Sequence, residues 1–487
     1  MQNGQTVVSG NLNENRARFR VIFDRCDDVV FRDFRLGGRN EALLVFMDGM
    51  ADDKRIEAEL LQPLMSCGRP DQEREGDVMS WLIDTVLPAE RISKQMREDQ
   101  AAEAVISGEV LLLVDGSPGC LLVGMSSLKT RAVEEPATEP VIRGPRDGFT
   151  ESLQINATLI RRRLKTPKLK SESLQVGRLS RTKLAIMYIE GVAEPKLVDE
   201  VKARIRGIRL ETVLESGYIE ELIMDNRHSI FPQLMTTERP DRAAAALAEG
   251  RVVIMVDNTP FILVAPATAF EMLQAAEDYS QHYIVATATR WLRYWLSFSA
   301  LVFPSLYIAV TTMHQEMLPT SLLLSIASSR EAVPFPAIVE AFVMELAFEG
   351  LREAGIRLPR PVGQAVSIVG ALVIGQAAVQ AGLVSATLVI VVSFTGIASF
   401  IFPSYSQGLS VRLLRFPLMI LAGVLGLYGI LLGLLALLVH LSKLRSFGVP
   451  YLSPLSPMNA EKLKDVLFRM PWWKRGQRRL ANGNNSK

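Results

Sequence analysis

The chain has 487 residues, enough for two or three domains, and a formal net charge of only +2. This near balance of charge gives no reason to expect nucleic acid as a partner. The mean hydropathy of +0.19 comes mostly from the C-terminal third, which indicates a membrane domain at that end of the chain.

Cysteine and histidine are too sparse to indicate a catalytic or metal site. Three cysteines without metal-ligand spacing are typical of a reducing compartment: Cys26, Cys67 and Cys120. The sequence contains no nucleotide-binding, metalloprotease or hydrolase motif, so we predict a protein that is not an enzyme, with no cofactor and no metal. Residues 1–20 are polar and predict no signal peptide, which places the N-terminal region in the cytoplasm.

Two blocks of sequence recur at a fixed distance in the first 290 residues. EALLVFMDG at 41–49 matches KLAIMYIEG at 183–191, and GEVLLLVDGSP at 108–118 matches GRVVIMVDNTP at 250–260. Both matches have the same offset of 142 residues (183 − 41 and 250 − 108). We therefore predict a duplication, with two units of one α/β fold at about 16–128 and 181–268.

Each unit shows the pattern of buried strands alternating with helices. Apolar, β-branched runs predict strands at 43–47 and 184–189. The best helix candidates are 52–64, 100–107, 195–208 and 241–249. A hairpin closes each unit, and we interpret Asp115 and Asp257 as turn formers in these hairpins.

Residues 136–180 are predicted to form a linker between the units. They are rich in charge and turn residues and contain the basic run RRRLKTPKLK at 161–170. Either this run is a solvated part of the linker, or it lies on anionic lipid headgroups beside the membrane domain.

The C-terminal region predicts a polytopic helical membrane domain. Residues 361–411 contain no charged side chain, and one span needs about 20 apolar residues. Four spans are predicted: 294–313, 362–382, 383–402 and 416–441. Arg290 and Arg293 precede the first span among interfacial aromatic residues, which places its start on the cytoplasmic side. With an even number of crossings, the basic C-terminal tail is cytoplasmic as well.

A further apolar stretch, 334–351, contains three carboxylates. Glu345 and Glu349 share one helical stripe with Arg352, whereas Glu340 points the other way. Because carboxylates in hydrocarbon are costly, we predict a surface or re-entrant helix that does not span, with its charged stripe in water.

The predicted helix 362–382 has two distinct faces. One carries valine and glutamine at alternating spacings of three and four residues: Val366, Val369, Val373, Gln376 and Gln380. The other carries small side chains suited to close helix packing: Gly363, Gly370, Ala377 and Ala381. The valine–glutamine stripe is either a second contact face or the lining of a pore.

Seven motifs in order along the chain carry a family resemblance. They are RGPRDGFTE at 143–151, FPSLYIAV at 303–310, LPT at 318–320, REAVPFP at 330–336, LPRPVGQAV at 358–366, GQAAVQAG at 375–382 and PYLSPLSP at 450–457. In these motifs the chain resembles the A subunits of GerA-type spore germination receptors. The resemblance runs from about residue 41 over nearly the whole chain.

The resemblance implies a multi-pass protein of the inner membrane of bacterial endospores, with both termini in the cytoplasm. It implies two partners, a transporter-like germinant-binding B subunit and a lipoprotein C subunit. It further implies that copies of this chain associate into a ring-like homo-oligomer, a nutrient-gated ion channel that starts germination. The family's N-terminal region consists of two similar α/β subdomains, in agreement with the repeat. A paralogue associated with the dipicolinic-acid channel shares this architecture.

We therefore predict an α/β soluble region of two similar subdomains followed by an α-helical polytopic membrane domain. The predicted parts are a first subdomain at 1–135, the linker at 136–180, a second subdomain at 181–288, the membrane domain at 289–445 and a basic tail at 446–487. Within the tail, 460–480 is predicted to lie along membrane lipid. Three functions stay open: a channel-forming receptor subunit, a non-conducting scaffold that relays a signal, and a secondary transporter.

Overall fold

The computed structural model describes residues 6–38, 40–68, 78–89, 91–126, 135–357, 373, 375–471 and 473. The chain forms two compact units. We call them the α/β unit, Met1–Arg227 with Leu234–Pro266, and the helical unit, His228–Gln233 with Ala267–Arg475.

The first half of the α/β unit is a five-stranded antiparallel sheet with helices on both faces. Its strands are β1 (Val29–Leu36), β2 (Asn40–Met47), β3 (Ile92–Gln95), β4 (Val110–Val114) and β5 (Cys120–Val123), in the spatial order β1-β2-β4-β5-β3. Its helices are α1 (Leu12–Ile22), α2 (Asp53–Arg55), α3 (Gln62–Ser66), α4 (Val78–Trp81) and α5 (Glu98–Ile106), with π-helical turns at Ile56–Leu61 and Leu82–Val86. Because α1 and α5 cover one face and the other helices cover the second face, β2 and β4 are buried on both sides and are apolar without alternation.

The second half of the α/β unit repeats this arrangement. Its strands are β6 (Leu169–Val176), β7 (Thr182–Ile189), β8 (Met235–Thr237), β9 (Val252–Val256) and β10 (Ile262–Ala265), in the order β6-β7-β9-β10-β8. Its helices are α6 (Leu153–Arg163), α7 (Pro195–Arg206), α8 (Ser216–Ile223) and α9 (Pro240–Ala248). Strands β7, β9 and β10 lie 142 residues after β2, β4 and β5 at both ends of each strand, and the strand order is the same. The predicted duplication of one fold is confirmed.

The segment 136–180 is more than the linker that its composition indicates. Residues 153–163 form α6, and β6 is the edge strand of the second sheet, pairing with β7 from Leu169 onward. The basic run at 161–170 is also partly internal, because Arg161 is buried and donates to both carboxylate oxygens of Asp28 at 2.7 and 2.8 Å. Neither a solvated run nor a lipid contact describes Arg161, which joins the two halves of the α/β unit.

Asp115 and Asp257 do more than form turns, because each carboxylate accepts a hydrogen bond from the first helical residue of its own half. Leu12 N–H donates to Asp115 at 3.1 Å, and Leu153 N–H donates to Asp257 at 3.3 Å. A carboxylate stabilises the free N–H groups and the positive dipole end of a helix N-terminus. Sequence spacing could not show this role, since helix and carboxylate are about a hundred residues apart.

A buried asparagine at equivalent positions of α1 and α6 ties each helix to the segment before it. Asn15 Nδ2 donates to the carbonyl of Ser9 at 2.6 Å, and its Oδ1 accepts from Ser9 N–H at 3.0 Å. Asn156 makes the same two bonds to Thr150, at 2.6 and 2.8 Å. In each case the side-chain amide pairs with both the N–H and the C=O of one residue that lies outside the helices and strands.

Replacing either asparagine by alanine is expected to lower the free energy of unfolding by about 1–3 kcal/mol. The N–H and C=O of partly buried Ser9 or of buried Thr150 then lose their partner. Asn15→Ala and Asn156→Ala should cost similar amounts, since the two bonds are equivalent. Urea unfolding of the α/β unit measures both. Asn13→Ala, on the exposed side of the same helix α1, is the control and should change little; an equal loss for Asn13→Ala would contradict the assignment.

Among the described residues of the helical unit, two helices are long and apolar enough to cross a membrane, α11 and α15. Its helices are α10 (Ala269–Met272), α11 (Tyr283–Thr312), α12 (Thr320–Arg330), α13 (Ala337–Arg357), α14 (Ala386–Ser399), α15 (Tyr405–Lys443) and α16 (Ala460–Leu467). Residues 375–380 are also helical. Most of the predicted helix 362–382 lies outside the described residues.

Helix α15 folds back on itself at Gly426, whose backbone angles are φ 62° and ψ −142°. The two arms, 405–425 and 427–443, pack side by side, since a Cβ at Gly433 would overlap the side chain of Leu418. The arms are about 30 Å and 25 Å long at 1.5 Å per residue. The predicted single span at 416–441 is therefore wrong: this segment is a helical hairpin.

Contacts between helices fix their directions within the unit. Two contact pairs show that α11 and the first arm of α15 run parallel: Ala300 with Arg415 and His314 with Gly426. Two others show that α13 is antiparallel to that arm: Ile338 with Gly423 and Glu345 with Arg415. Two more show that α14 is parallel to α13: Glu340 with Ser385 and Phe348 with Gly396. The end of α13 and the start of α14 therefore lie at opposite ends of the unit.

Arg290 and Arg293 are buried rather than interfacial. Both donate to the buried carboxylate of Asp278, at 3.2 Å from Arg290 Nε and 3.0 Å from Arg293 Nη1. Arg290 also donates to the carbonyl of Asp465 in α16, which packs beside the start of α11. Arg290 thus connects α16 to α11. Because both arginines pair with Asp278 inside the unit, they carry no weight as markers of membrane orientation. Residues 474–480 of the predicted surface tail lie outside the described residues.

Candidate functional site

Two carboxylates of α13, Glu345 and Glu349, face arginines of α15 within the helical unit. Glu345 is 0% exposed, and its Oε2 accepts from Nη1 of Arg415, which is 1% exposed, at 2.5 Å. The predicted water-filled stripe is therefore wrong. The sequence pattern identified the stripe on α13, but its partner is 70 residues away, so the helical period could not reveal what it faces.

Arg415 also contacts α11, at a carbonyl that a proline of α11 leaves without its usual helical partner. Pro304 lies within α11 and has no N–H, so the carbonyl four residues earlier has no helical partner. That carbonyl belongs to Ala300, and Arg415 Nε donates to it at 3.0 Å. The side chain of Arg415 thus joins its own helix, α15, to α13 through Glu345 and to α11 through the carbonyl of Ala300. We call Ala300, Pro304, Glu345 and Arg415 the arginine node.

One turn further along α13, Glu349 lies between two more arginines. Arg352 Nη1 donates to it at 3.0 Å within the same helix, and Arg412 Nη1 donates from α15 at 3.4 Å. Arg352 continues to α14, where its Nη2 donates to Ser399 Oγ at 2.6 Å. These contacts extend the arginine node into a charged layer across α13, α14 and α15.

Glu340 forms a separate contact at the opposite end of α13. Its Oε1 accepts from the backbone N–H of Ser385, which caps the N-terminus of α14, at 2.5 Å. Arg330 Nε lies 3.5 Å from the second oxygen. A carboxylate at a helix N-terminus is favourable because it meets unpaired N–H groups and the positive end of the dipole. Glu340 thus points away from Glu345 as predicted, toward α14.

The described part of the predicted pore helix leaves both of its predicted faces uncovered within one chain. Val373 is 55% exposed, and the other described members of the two sets are exposed as well: Gln376, Gln380, Ala377 and Ala381. Gly375 is the buried residue between them. Gly363, Val366, Val369 and Gly370 lie outside the described residues. The pore-lining and helix-packing assignments stay predictions.

The three cysteines are not reactive thiols. Burial raises the pKa of the Cys120 thiol to about 12, and it also raises the pKa values of Cys26 and Cys67. A thiol that stays protonated is a poor nucleophile and metal ligand. Within the described ranges, no group of three His, Cys, Asp or Glu side chains is placed to hold a metal ion.

Comparison with known proteins decides the family. The family model described as the Bacillus/Clostridium GerA spore germination protein matches residues 17–480. The chain belongs to this family. The resemblance that the seven motifs indicate is confirmed. The matched region of this GerA-family chain contains the helical unit with its arginine node, and the α/β unit from residue 17 onward.

Relatives of this GerA-family chain are similar over almost their full length. The uncharacterized membrane protein YfkQ of Bacillus subtilis (strain 168) is 45% identical, over 100% of this chain and 94% of its own. The spore germination proteins KA and A1 of the same organism are each 44% identical over 96% of this chain, covering 86% and 95% of theirs.

One solved structure is also similar. It is the crystal structure of the N-terminal domain of the A subunit of the Bacillus megaterium spore germinant receptor GerK3. Its sequence is 32% identical, the match covers 54% of this chain and 98% of that chain, and the TM-score is 0.44.

Proposed function

We propose that this chain is the A subunit of a nutrient germinant receptor in the spore inner membrane, where several copies form a germinant-gated ion channel. Its family membership supports the role in germination, as do the names of the relatives KA and A1. The name of the relative YfkQ and the two long apolar helices support a membrane location.

The helix directions support a multi-pass domain with both ends on one side. In this proposal α11, α13, α14 and the two arms of α15 each cross once. Because α13 and α14 are parallel, one further pass has to join them, which makes six passes, an even number. An even number keeps the α/β unit and α16 on the same side, the cytoplasmic one in this proposal. This proposal counts two passes for the hairpin at Gly426, where the sequence predicts one span, and one pass for α13, where the sequence predicts a helix that does not span.

The observation that carries the channel is the pair of unpaired amides at Gln376 and Gln380. Both side chains are exposed, and neither has a hydrogen-bond partner among the described residues. In hydrocarbon, an amide without a hydrogen-bond partner costs on the order of several kcal/mol, so water or another chain has to supply the partner. A ring of subunits with this face around a water-filled path meets that demand, and Ala377 and Ala381 then allow neighbouring helices to approach closely. The B and C receptor subunits are the further partners in this proposal.

The test is the conductance and mass of the purified chain in planar bilayers and detergent. We expect an oligomer that conducts ions, and we expect Gln376→Leu and Gln380→Leu to reduce conductance without changing the oligomer, because water loses its partners in the path. Gln62→Leu, at an exposed glutamine of the α/β unit, is the control. An oligomer without conductance would indicate a scaffold, and substrate counterflow into liposomes would indicate a transporter; either result would contradict the proposal.

A further inference from the structure

We propose that the arginine node is a latch that holds the channel closed, and that opening moves α13 away from α11 and α15 with the contact between Glu345 and Arg415 broken. The inference rests on the proposed channel function and assigns its regulation to particular residues. It concerns side chains that do not line the candidate pore.

The arginine node holds α13, the helix that directly precedes the valine–glutamine stripe in the chain. Helix α13 ends at Arg357, immediately before the segment that contains the valine–glutamine stripe, and α14 begins just after that segment. Arg352 ties α13 to α14 at Ser399, and Glu340 ties their other ends together at Ser385. These two contacts make α13 and α14 one body that flanks the stripe in the chain. In this proposal, a shift of this body acts on the stripe through its chain connections to α13 and α14.

The same body is held to the rest of the helical unit by charge. Glu345 and Glu349 are the carboxylates of α13 that meet arginines of α15, and Arg415 in turn reaches the carbonyl of Ala300. Separating α13 from α15 breaks both ion pairs together. Position 415 requires an arginine. Only a long planar donor reaches both the carbonyl of Ala300, which Pro304 leaves without a helical partner, and the carboxylate of Glu345.

The pair is built for switching rather than for stability. Both members are fully buried, and Glu345 Oε1 and Arg415 Nη2 have no partner among the described residues. A buried ion pair with unsatisfied atoms is a weak stabiliser, since its attraction barely offsets its desolvation. The hydrogen bond between the two side chains is nevertheless either made or fully lost, because it depends on direct contact. Such a pair lets a packed helix adopt two discrete positions with a small difference in free energy.

Four variants in single-channel recordings without nutrient test the latch. We expect Glu345→Gln and Arg415→Gln each to raise the open probability at least tenfold. In the double variant Glu345→Gln/Arg415→Gln, the open probability should rise by far less than the product of the two single rises, because both changes remove the same contact. Arg415→Lys keeps the ion pair but loses the bond to Ala300, so we expect a smaller rise. The control is Glu353→Gln on the same helix, whose partner Arg357 is exposed; it should leave the open probability within twofold.

A second measurement, the distance between two spin labels, tests the latch independently of conductance. It applies to variants with a low yield of folded protein and to a wild type that does not conduct. Spin labels at the exposed positions Leu346 of α13 and Leu413 of α15 should give one distance in the wild type and a second, longer one in Glu345→Gln and Arg415→Gln. A conducting wild type whose variants show unchanged open probability and unchanged label distances overturns the latch alone. A wild type without conductance overturns the channel, and unchanged label distances in that protein overturn the latch as well.

Discussion

Gly426→Ala is expected to remove most of the folded protein from the membrane fraction. The residue has φ 62° and ψ −142° at the turn between the two arms of α15, a conformation that costs an L-amino acid about 1–3 kcal/mol. A Cβ there would also overlap the imidazole of His314 and lie 3.0 Å from the Cβ of Met313. Backbone and neighbours both resist the change, so the hairpin cannot close as it does in the native chain.

The measurement is the amount of monodisperse protein after detergent extraction and size-exclusion chromatography. Gly350→Ala is the matched control, because a Cβ at Gly350 in α13 has no atom within 4 Å and alanine favours a helix more than glycine does. We expect the control to match or exceed the wild type. Equal yields for Gly426→Ala and Gly350→Ala would show that α15 does not fold back at Gly426.

The α/β unit could be predicted largely from sequence because its information is periodic and local. Strands β2, β4, β7 and β9 are continuous apolar runs bounded by turns, and the common offset of 142 residues fixes the repeat. The weaker strands β1 and β6 were missed, since their polar, edge-strand character gives no apolar run. That is why residues 169–176 were assigned to a linker.

The charged layer of the helical unit could be located but not interpreted from sequence. The period of α13 placed Glu345 and Glu349 on one stripe, and the same chemistry that makes carboxylates costly in hydrocarbon suggested water as their surroundings. The structure provides arginines of α15 instead, whose position depends on tertiary packing. One sequence signal was available: Pro304 leaves a carbonyl that needs a donor, and Arg412 and Arg415 were cations in an apolar region without an assigned partner.

The hairpin of α15 was missed for a related reason. An apolar stretch rich in glycine is compatible with one tilted span or with two short arms, and composition does not separate them. The choice depends on one residue, Gly426, whose positive φ no sequence pattern specifies.

Polar replacement of the stripe valines is expected to make spores lose dormancy. In the proposed ring, the side chains of Val366, Val369 and Val373 form an apolar constriction that resists wetting when the channel is closed. Val373 is the described member, and it is 55% exposed in the single chain. Val369→Ser or Val373→Ser should let water into the closed path, so ions leak without nutrient and spores germinate early.

The matched control is Ile390→Ser, which places the same hydroxyl on α14 at a side chain that is 70% exposed. It should leave both the resting conductance and dormancy unchanged, because that position is off the stripe. Ala377→Trp should act differently and prevent assembly, since a large side chain separates neighbouring helices on the small-residue face. The readouts are resting conductance in bilayers and the fraction of spores that stay dormant at normal protein level. If serine at all three valines leaves both unchanged, this face does not form the gate, and the glutamines must meet another protein surface instead of water.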